Sequence, residues 1–343
     1  MAPEFCIVCL DTNPPPIQTG CACRGDGGLA HIGCMVQVAA SQQKQRGHDA
    51  WHRCQTCTQD FTGAMRTALA EAWQSRVEQQ AAESLERLAA QANLAQSLMH
   101  QGKHSKAEPM LRELHSVHMR LFGAEHQGTL TVANNLAGSL SHQGKYTDAE
   151  QIQRQVLGVQ TRVLGPEHPD TLRSANTLCY TLHSQGEYAD AEGIQREVLQ
   201  ARKRVLGPEH EETLTTSVNL AATLAAQGKS GDADAILYEV IGVEKRVFGA
   251  EHPNTLDSVN NLATSLSRQG KHAEAETMLR ETLRVQTRVL GPEHPSTLTS
   301  ASNLANALGH QGKHPEALQT MKATLASCQH VLGPTPPRWG STW

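Results

Sequence analysis

A glycine recurs every 42 residues through most of this 343-residue chain, at Gly123, Gly165, Gly207, Gly249, Gly291 and Gly333. The turn around it is rewritten with small changes: FGAEHQGTL at 122–130, LGPEHPDTL at 164–172, LGPEHEETL at 206–214, FGAEHPNTL at 248–256 and LGPEHPSTL at 290–298. A second marker keeps the same step, with HQGK at 100–103 and 142–145, SQGE at 184–187, AQGK at 226–229, RQGK at 268–271 and HQGK at 310–313. Two punctuation marks per 42 residues divide each unit into two segments. A unit of that size cannot bury its own apolar surface, so successive units must stack on one another.

Each segment carries a helical period. Between the EHP turn and the QGK turn, Leu130, Ala133, Leu136, Ala137 and Leu140 follow the three-and-four spacing of one helix face. After the QGK turn, Ala149, Ile152, Val156, Val159 and Val163 do the same. Gly144 is placed to end the first helix in a left-handed turn and Gly165 the second, while Pro169 suits the first turn of the next helix. The expected class is mainly α, a right-handed helical solenoid with one concave face.

The N-N-L-A…Q-G-K-Y…A-E…L-G-P-E-H-P-x-T-L pattern resembles the 42-residue tetratricopeptide repeats of kinesin light chains. The resemblance spans six helix pairs over residues 84–332, with 63–83 as a helical connector and 333–343 (GPTPPRWGSTW) as a disordered tail. It implies a protein- or peptide-binding module in which asparagines of each first helix line the groove. The matching positions are Asn93, Asn135, Asn219, Asn261 and Asn303, with Thr177 replacing asparagine in the third copy. A side-chain amide both donates and accepts, so it can hold an extended peptide backbone of any sequence. The alternative role for these asparagines is a hydrogen bond from one stacked repeat to the next. The recurring His126, His168, His210, His252 and His294 suggest a metal ladder or pH sensor at first sight. Their place beside Gly and Pro in a turn predicts helix capping instead.

The other informative region is the first 62 residues, which hold seven of the nine cysteines. Cys6-x2-Cys9, Cys21-x-Cys23, His31-x2-Cys34 and Cys54-x2-Cys57 form four close pairs, enough for two tetrahedral zinc ions. Spacing alone permits sequential pairing or an interleaved cross-brace. His48 and His52 are spare imidazoles, expected to be exposed. Cys179 and Cys328 are isolated and expected to be inert core residues.

The ligand order resembles the variant RING family, RING-CH, more than the PHD finger, which usually has a wider third pair and a shorter gap to the histidine. That resemblance implies that Cys6, Cys9, His31 and Cys34 hold one zinc and Cys21, Cys23, Cys54 and Cys57 the other. It also implies ubiquitin ligation: a RING-type module binds a ubiquitin-conjugating enzyme and positions its thioester without a covalent intermediate. The docking residues that match are Ile7, Val38 and Trp51, although Ile7 and Trp51 could equally pack the core. Two positions depart from the family pattern, with Val38 where a tryptophan is frequent and Thr58 where active members often carry a basic residue.

Between Phe61 and Gln101 there is no proline and one glycine, Gly63, so helix is expected through most of the segment with a break near 78–84. No GxxxxGK loop and no nucleophile with partners argues for a hydrolase or nucleotide enzyme. Four basic against five acidic side chains in residues 1–62, and 30 Lys plus Arg against 34 Asp plus Glu overall, argue against nucleic acid as a partner. MAPEFCIVCLDTNPPP lacks the basic and apolar regions of a secretory signal, and no apolar run reaches membrane-spanning length. The expected protein is cytoplasmic: a RING-type ligase whose repeats bind a client protein, or else a non-catalytic adaptor with a structural zinc finger.

Overall fold

The computed structural model describes residues 6–18 and 28–332. The N-terminal part has a two-stranded antiparallel ladder, β1 (Ile17–Gln18) and β2 (Leu29–Ala30), with Ile17 opposite Ala30 and Gln18 opposite Leu29. After it come α1 (Ile32–Arg46), a 3-10 turn over Gly47–Trp51, and α2 (Gly63–Val77). The remainder is helix pairs. These are α3 (Leu85–His100) with α4 (His104–Phe122), α5 (Gln127–His142) with α6 (Tyr146–Leu164), and α7 (Pro169–Gln185) with α8 (Tyr188–Val205). They continue as α9 (Glu211–Ala226) with α10 (Ser230–Val247), α11 (Pro253–Arg268) with α12 (His272–Val289), and α13 (Pro295–His310) with α14 (His314–Leu332). No described helix is long and apolar enough to cross a membrane. The chain divides into two compact units, Met1–Val163 and Leu164–Trp343.

The repeated turn works as a helix start. In every copy the histidine is the N-cap, its Nδ1 accepting the backbone N–H two residues on: Gly128 onto His126 at 3.1 Å, Glu212 onto His210 at 3.2 Å, Asn254 onto His252 at 3.3 Å. The imidazole thereby satisfies one of the donors that a helix leaves free at its start. Gly144 and Gly165 sit at φ of 78° and 94°, backbone that side-chain-bearing residues rarely adopt.

The QGK marker is a clamp as well as a turn. Gln227 Nε2 and Lys229 Nζ both reach Oε2 of Glu192 at 2.8 Å, and Gln311 and Lys313 hold Glu276 at 2.9 and 2.6 Å. Gln143 and Lys145 hold Glu108 in the same way, at 3.0 and 2.6 Å. Each clamp ties a second helix to the start of the next. The alanine three residues after the first residue of that second helix has no exposed surface in five copies (Ala107, Ala149, Ala191, Ala233, Ala275), while Ala317 of the last copy is partly buried.

In the first unit a core of Leu88, Leu98, Leu111, Leu114, Leu136 and Leu140 fills the space between pairs. The second unit repeats the arrangement with Leu220, Leu224, Leu237, Leu262, Leu266 and Leu279. A separate core joins Cys6, Met35, Trp51 and Phe61 to Met65, Leu69, Trp73 and Val77 of α2 and to Ala90 of α3. The cysteine-rich segment therefore completes its core with side chains that lie beyond residue 62. Residues 333–343, expected to be a disordered tail, lie outside the described residues.

Candidate metal centre and first-helix face

The two Cys-x2-Cys loops fold identically. In the first, Val8 N–H donates to Cys6 Sγ at 3.4 Å, Leu10 N–H to the Cys6 carbonyl at 2.9 Å, and Cys6 N–H to the Asp11 carbonyl at 2.9 Å. In the second, Thr56 N–H donates to Cys54 Sγ at 3.4 Å, Thr58 N–H to the Cys54 carbonyl at 3.0 Å, and Cys54 N–H to the Gln59 carbonyl at 2.9 Å. Leu10 and Thr58 hold the same position, with φ of 63° and 59°. Left-handed backbone at leucine and threonine is costly, and in the first loop it accompanies sulfurs of Cys6 and Cys9 that lie within 4.8 Å of one another.

Ile7 N–H bonds the Leu29 carbonyl at 2.9 Å and His31 N–H bonds Cys6 Sγ at 3.3 Å, so the β1–β2 ladder carries the start of α1 to the first loop. His31 is the N-cap of α1, and Cys34 lies in its first turn. The ligand atoms of Cys6, Cys9, His31 and Cys34 all lie within 4.8 Å of one another. Of the two pairings that spacing permits, this is the interleaved one. Cys21 and Cys23 lie outside the described residues, so the second set is represented here by buried Cys54 and half-buried Cys57.

The donor set fits a tetrahedral ion. Ligands about 2.0–2.3 Å from a tetrahedral zinc stand about 3.3–3.8 Å apart, and His31 Nδ1 lies 3.3 Å from Cys9 Sγ and 3.7 Å from Cys34 Sγ. Nε2 of His31 is buried with no partner among the described residues, which leaves Nδ1 as the ring atom aimed at the sulfurs. Burial pushes the Cys6 thiol up, but backbone N–H groups of His31, Cys9 and Val8 outweigh it and bring the thiol down to about 6. Cys34 is pushed up to about 11, first by its hydrogen bond to Cys9 and then by burial and the sulfur of Cys6. The pocket favours one thiolate and resists a second until a cation offsets the charge.

Two expectations, for Trp51 and His52, need correction. Trp51 is completely buried, donating Nε1–H to Gln43 Oε1 at 3.1 Å, and cannot form part of a docking surface. Ile7 is half-buried against the same core, and Val38 is half-exposed on α1. The exposed apolar side chains beside the ligands are instead Val8, Leu10 and Ile32, at 43%, 71% and 40% exposure. His52, expected to be exposed, is half-buried, and that burial lowers its pKa despite Asp60 and Asp49 nearby. His48 is exposed as expected. Cys179 is buried and its thiol is pushed up to about 12 by that burial, which makes it inert. The side chain of Cys328 lies outside the described residues.

The asparagines divide between the two roles open to them. Asn303 is buried and donates from Nδ2 to Thr264 Oγ1 at 3.1 Å and Asn260 Oδ1 at 3.4 Å, linking α13 to α11. Asn261 is exposed and lines a cavity of about 220 Å³ with His183, Ala222, Thr264 and Arg268. A second cavity of about 330 Å³ is lined by Thr264, Arg268, Asn303, Asn306 and His310. Asn135 and Asn219 are half-buried, Asn93 is buried, and Thr177 turns its hydroxyl back to the Arg173 carbonyl at 3.0 Å. One asparagine per helix accounts for only part of this lining. The spacing 261, 264, 268, repeated as 303, 306, 310, is the one-face helical signal that identifies the rest of the lining.

A family model described as the tetratricopeptide repeat matches residues 86–157, 129–192, 174–243, 232–285 and 255–330. None of the curated proteins matches the chain. Among solved structures, the chain is similar to a variant form of a kinesin light chain protein from Podosopora anserina with nearly identical TPR-like repeats. Identity is 25%, over 60% of this chain and 96% of that one, with a TM-score of 0.54. BtubC (BKLC) from P. vanneervenii aligns at 17% identity over 67% of this chain and 92% of that one (TM-score 0.54), and apo RapI at 10% over 78% and 73% (TM-score 0.59). These last two share the fold. With overlapping matches from residue 86 to residue 330, and the helix pairs that follow one another through that range, the chain belongs to the tetratricopeptide repeat family.

Proposed function

We propose that this chain is a protein-interaction scaffold that holds a client segment on the first helices of its repeats and carries a zinc-stabilised N-terminal module. The observation that carries the scaffold reading is the pair of cavities on α9, α11 and α13, where amide, hydroxyl and guanidinium groups face outward beside apolar walls. Such a surface can hydrogen-bond a peptide backbone while small side chains leave it room. Ala222→Trp, at an exposed position, fills the first cavity and should abolish capture of peptides from a random library by the full chain. Unchanged capture would remove the reading.

Cys6, Cys9, His31 and Cys34 would hold one zinc, and Cys54 and Cys57 two positions of a second with Cys21 and Cys23. Zinc here supplies cross-linking and folding free energy, on the order of 10–16 kcal/mol per site, and no reaction chemistry. Metal analysis of the purified chain should find two zinc ions, falling to one in Cys9→Ser. Fewer than two in the parent chain would sink the cross-brace.

The finer reading adds ubiquitin transfer. Its support is the ligand order together with exposed Val8, Leu10 and Ile32, an apolar edge of the kind that a conjugating enzyme could cover. The chain would then bring a charged conjugating enzyme to the client on its repeats. Incubation with activating enzyme, a panel of conjugating enzymes, ubiquitin and ATP should yield chains, and Leu10→Asp should stop them. A blank across the panel with both zincs bound leaves a non-catalytic adaptor.

A further inference from the structure

We propose that α2 is the second helix of an incomplete repeat ahead of the six complete ones, and that the cysteine-rich module takes the place of its missing first helix. Loss of the module's metal then uncovers the apolar stripe of α2, a consequence that rests on the zinc reading of the module. The 42-residue register runs further back than its glycines. One step before Glu125 and His126 stand Glu83 and Ser84. Ser84 caps α3, its Oγ accepting the Arg87 N–H at 3.2 Å. Glu83 pairs with Arg120 at 2.5 Å, as Glu125 does with Arg162 and Glu209 with Arg246, each at 2.6 Å. In every later copy this turn follows a second helix, and one step back from α4 is 62–80, the place of α2.

The end of α3 also grips α2 as later first helices grip the second helix before them. Gln101 of the QGK marker donates to Thr67 Oγ1, which shares a 2.7 Å bond with Ser97 Oγ. The clamp acid's position, one step before Glu108, holds buried Arg66, whose guanidinium turns to Asp60 of the module at 3.6 Å. What this repeat lacks is a first helix. One step back from α3 is 43–58, where the chain ends α1 at Arg46, makes the 3-10 turn Gly47–Trp51 and places Cys54 and Cys57. Met65, Leu69, Trp73 and Val77 form a stripe at four-residue steps along α2, none more than 1% exposed. Their cover is Met35, Ala50, Trp51 and Phe61 with buried Cys6 and Cys54, one candidate ligand from each Cys-x2-Cys loop. Trp51 donates to Gln43, and Gln43 to Glu86 of α3, so the cover is tied to the first complete repeat as well. A repeat is stabilised by its neighbours, so an end repeat depends on whatever closes it. Closure here is by loops whose cross-links are the metal sites, and metal binding is coupled to their folding.

Hydrogen exchange on the full chain tests this, with zinc content measured on the same samples. Stripping the zinc with a chelator should speed exchange about tenfold or more in α2 and α3 and leave α9 to α12 as in the parent. Trp51→Ala, which keeps every ligand, should speed exchange in α2 with zinc still bound. Unchanged α2 protection after zinc is lost, or in Trp51→Ala, overturns the proposal and leaves the zinc reading standing, as does an equal loss of protection along the whole stack. A parent chain that binds no zinc overturns the zinc reading and the metal dependence with it.

Discussion

The indole rings of Trp51 and Trp73 lie 5.9 Å apart with their planes 2° from parallel, and both are buried. One belongs to the loop before the last cysteine pair and the other to α2, so the cysteine-rich module and the helix leading into the repeats share a core. Trp73→Ala should lower stability by about 3–5 kcal/mol, read by urea unfolding followed by tryptophan fluorescence, and should speed thiol modification at Cys54. A loss under about 1 kcal/mol would show that the segments fold independently.

Glu244 is 2% exposed, and burial, opposed by a hydrogen bond from Ser258 and reinforced by Asp257, raises its pKa to about 7. The folded state keeps this proton where the unfolded chain has released it, so stability declines as pH rises from the ordinary value of 4.5 through 7. The equivalent residues one repeat away on α12 and two repeats away on α6 are Gln286 and Gln160. Glu244→Gln should therefore stabilise the protein at pH 8 by at least about 1 kcal/mol and by much less at pH 5. Thermal melts at the two pH values that give equal differences would refute this.

Glu192 shows the opposite sign. Its clamp by Lys229, Arg196 and Gln227 lowers the carboxyl to about 2, so the contribution is complete above the ordinary value of 4.5 and disappears as pH falls toward 2. Glu192→Gln should cost about 1 kcal/mol at pH 7. The gap between the parent and variant melting curves should close with acidification, and a constant gap would mean that charge is irrelevant to the clamp.

Asn303 and Asn261 occupy the same repeat position but different surroundings. Asn303→Ala breaks a buried link between repeats and should cost about 1–2 kcal/mol. Asn261→Ala should leave stability within about 0.5 kcal/mol of the parent and weaken peptide binding. Equal effects on stability would erase the distinction.

His252→Ala removes a capping acceptor and should destabilise by about 1 kcal/mol, while His252→Asp should recover most of the loss. Chelators should leave this difference unchanged. A chelator-sensitive melt of the His252 region would instead revive the metal-ladder reading.

Much of this was legible because it is local. The 42-residue step, the helical period on both segments and the capping place of His126 to His294 depend on residues a turn or two apart, and the break after Val77 follows from the same reasoning. The division of the asparagines and the burial of Trp51 were not legible, since a side chain's environment is set by segments far away in sequence. Sequence alone determined that the chain is a stack of helix pairs behind a cysteine-rich module, because period and punctuation admit no other packing. Only the tertiary structure decided that Cys6 and Cys9 meet His31 and Cys34. The ligand spacing fits either pairing, and the β1–β2 ladder selects one by bringing the start of α1 against the first loop.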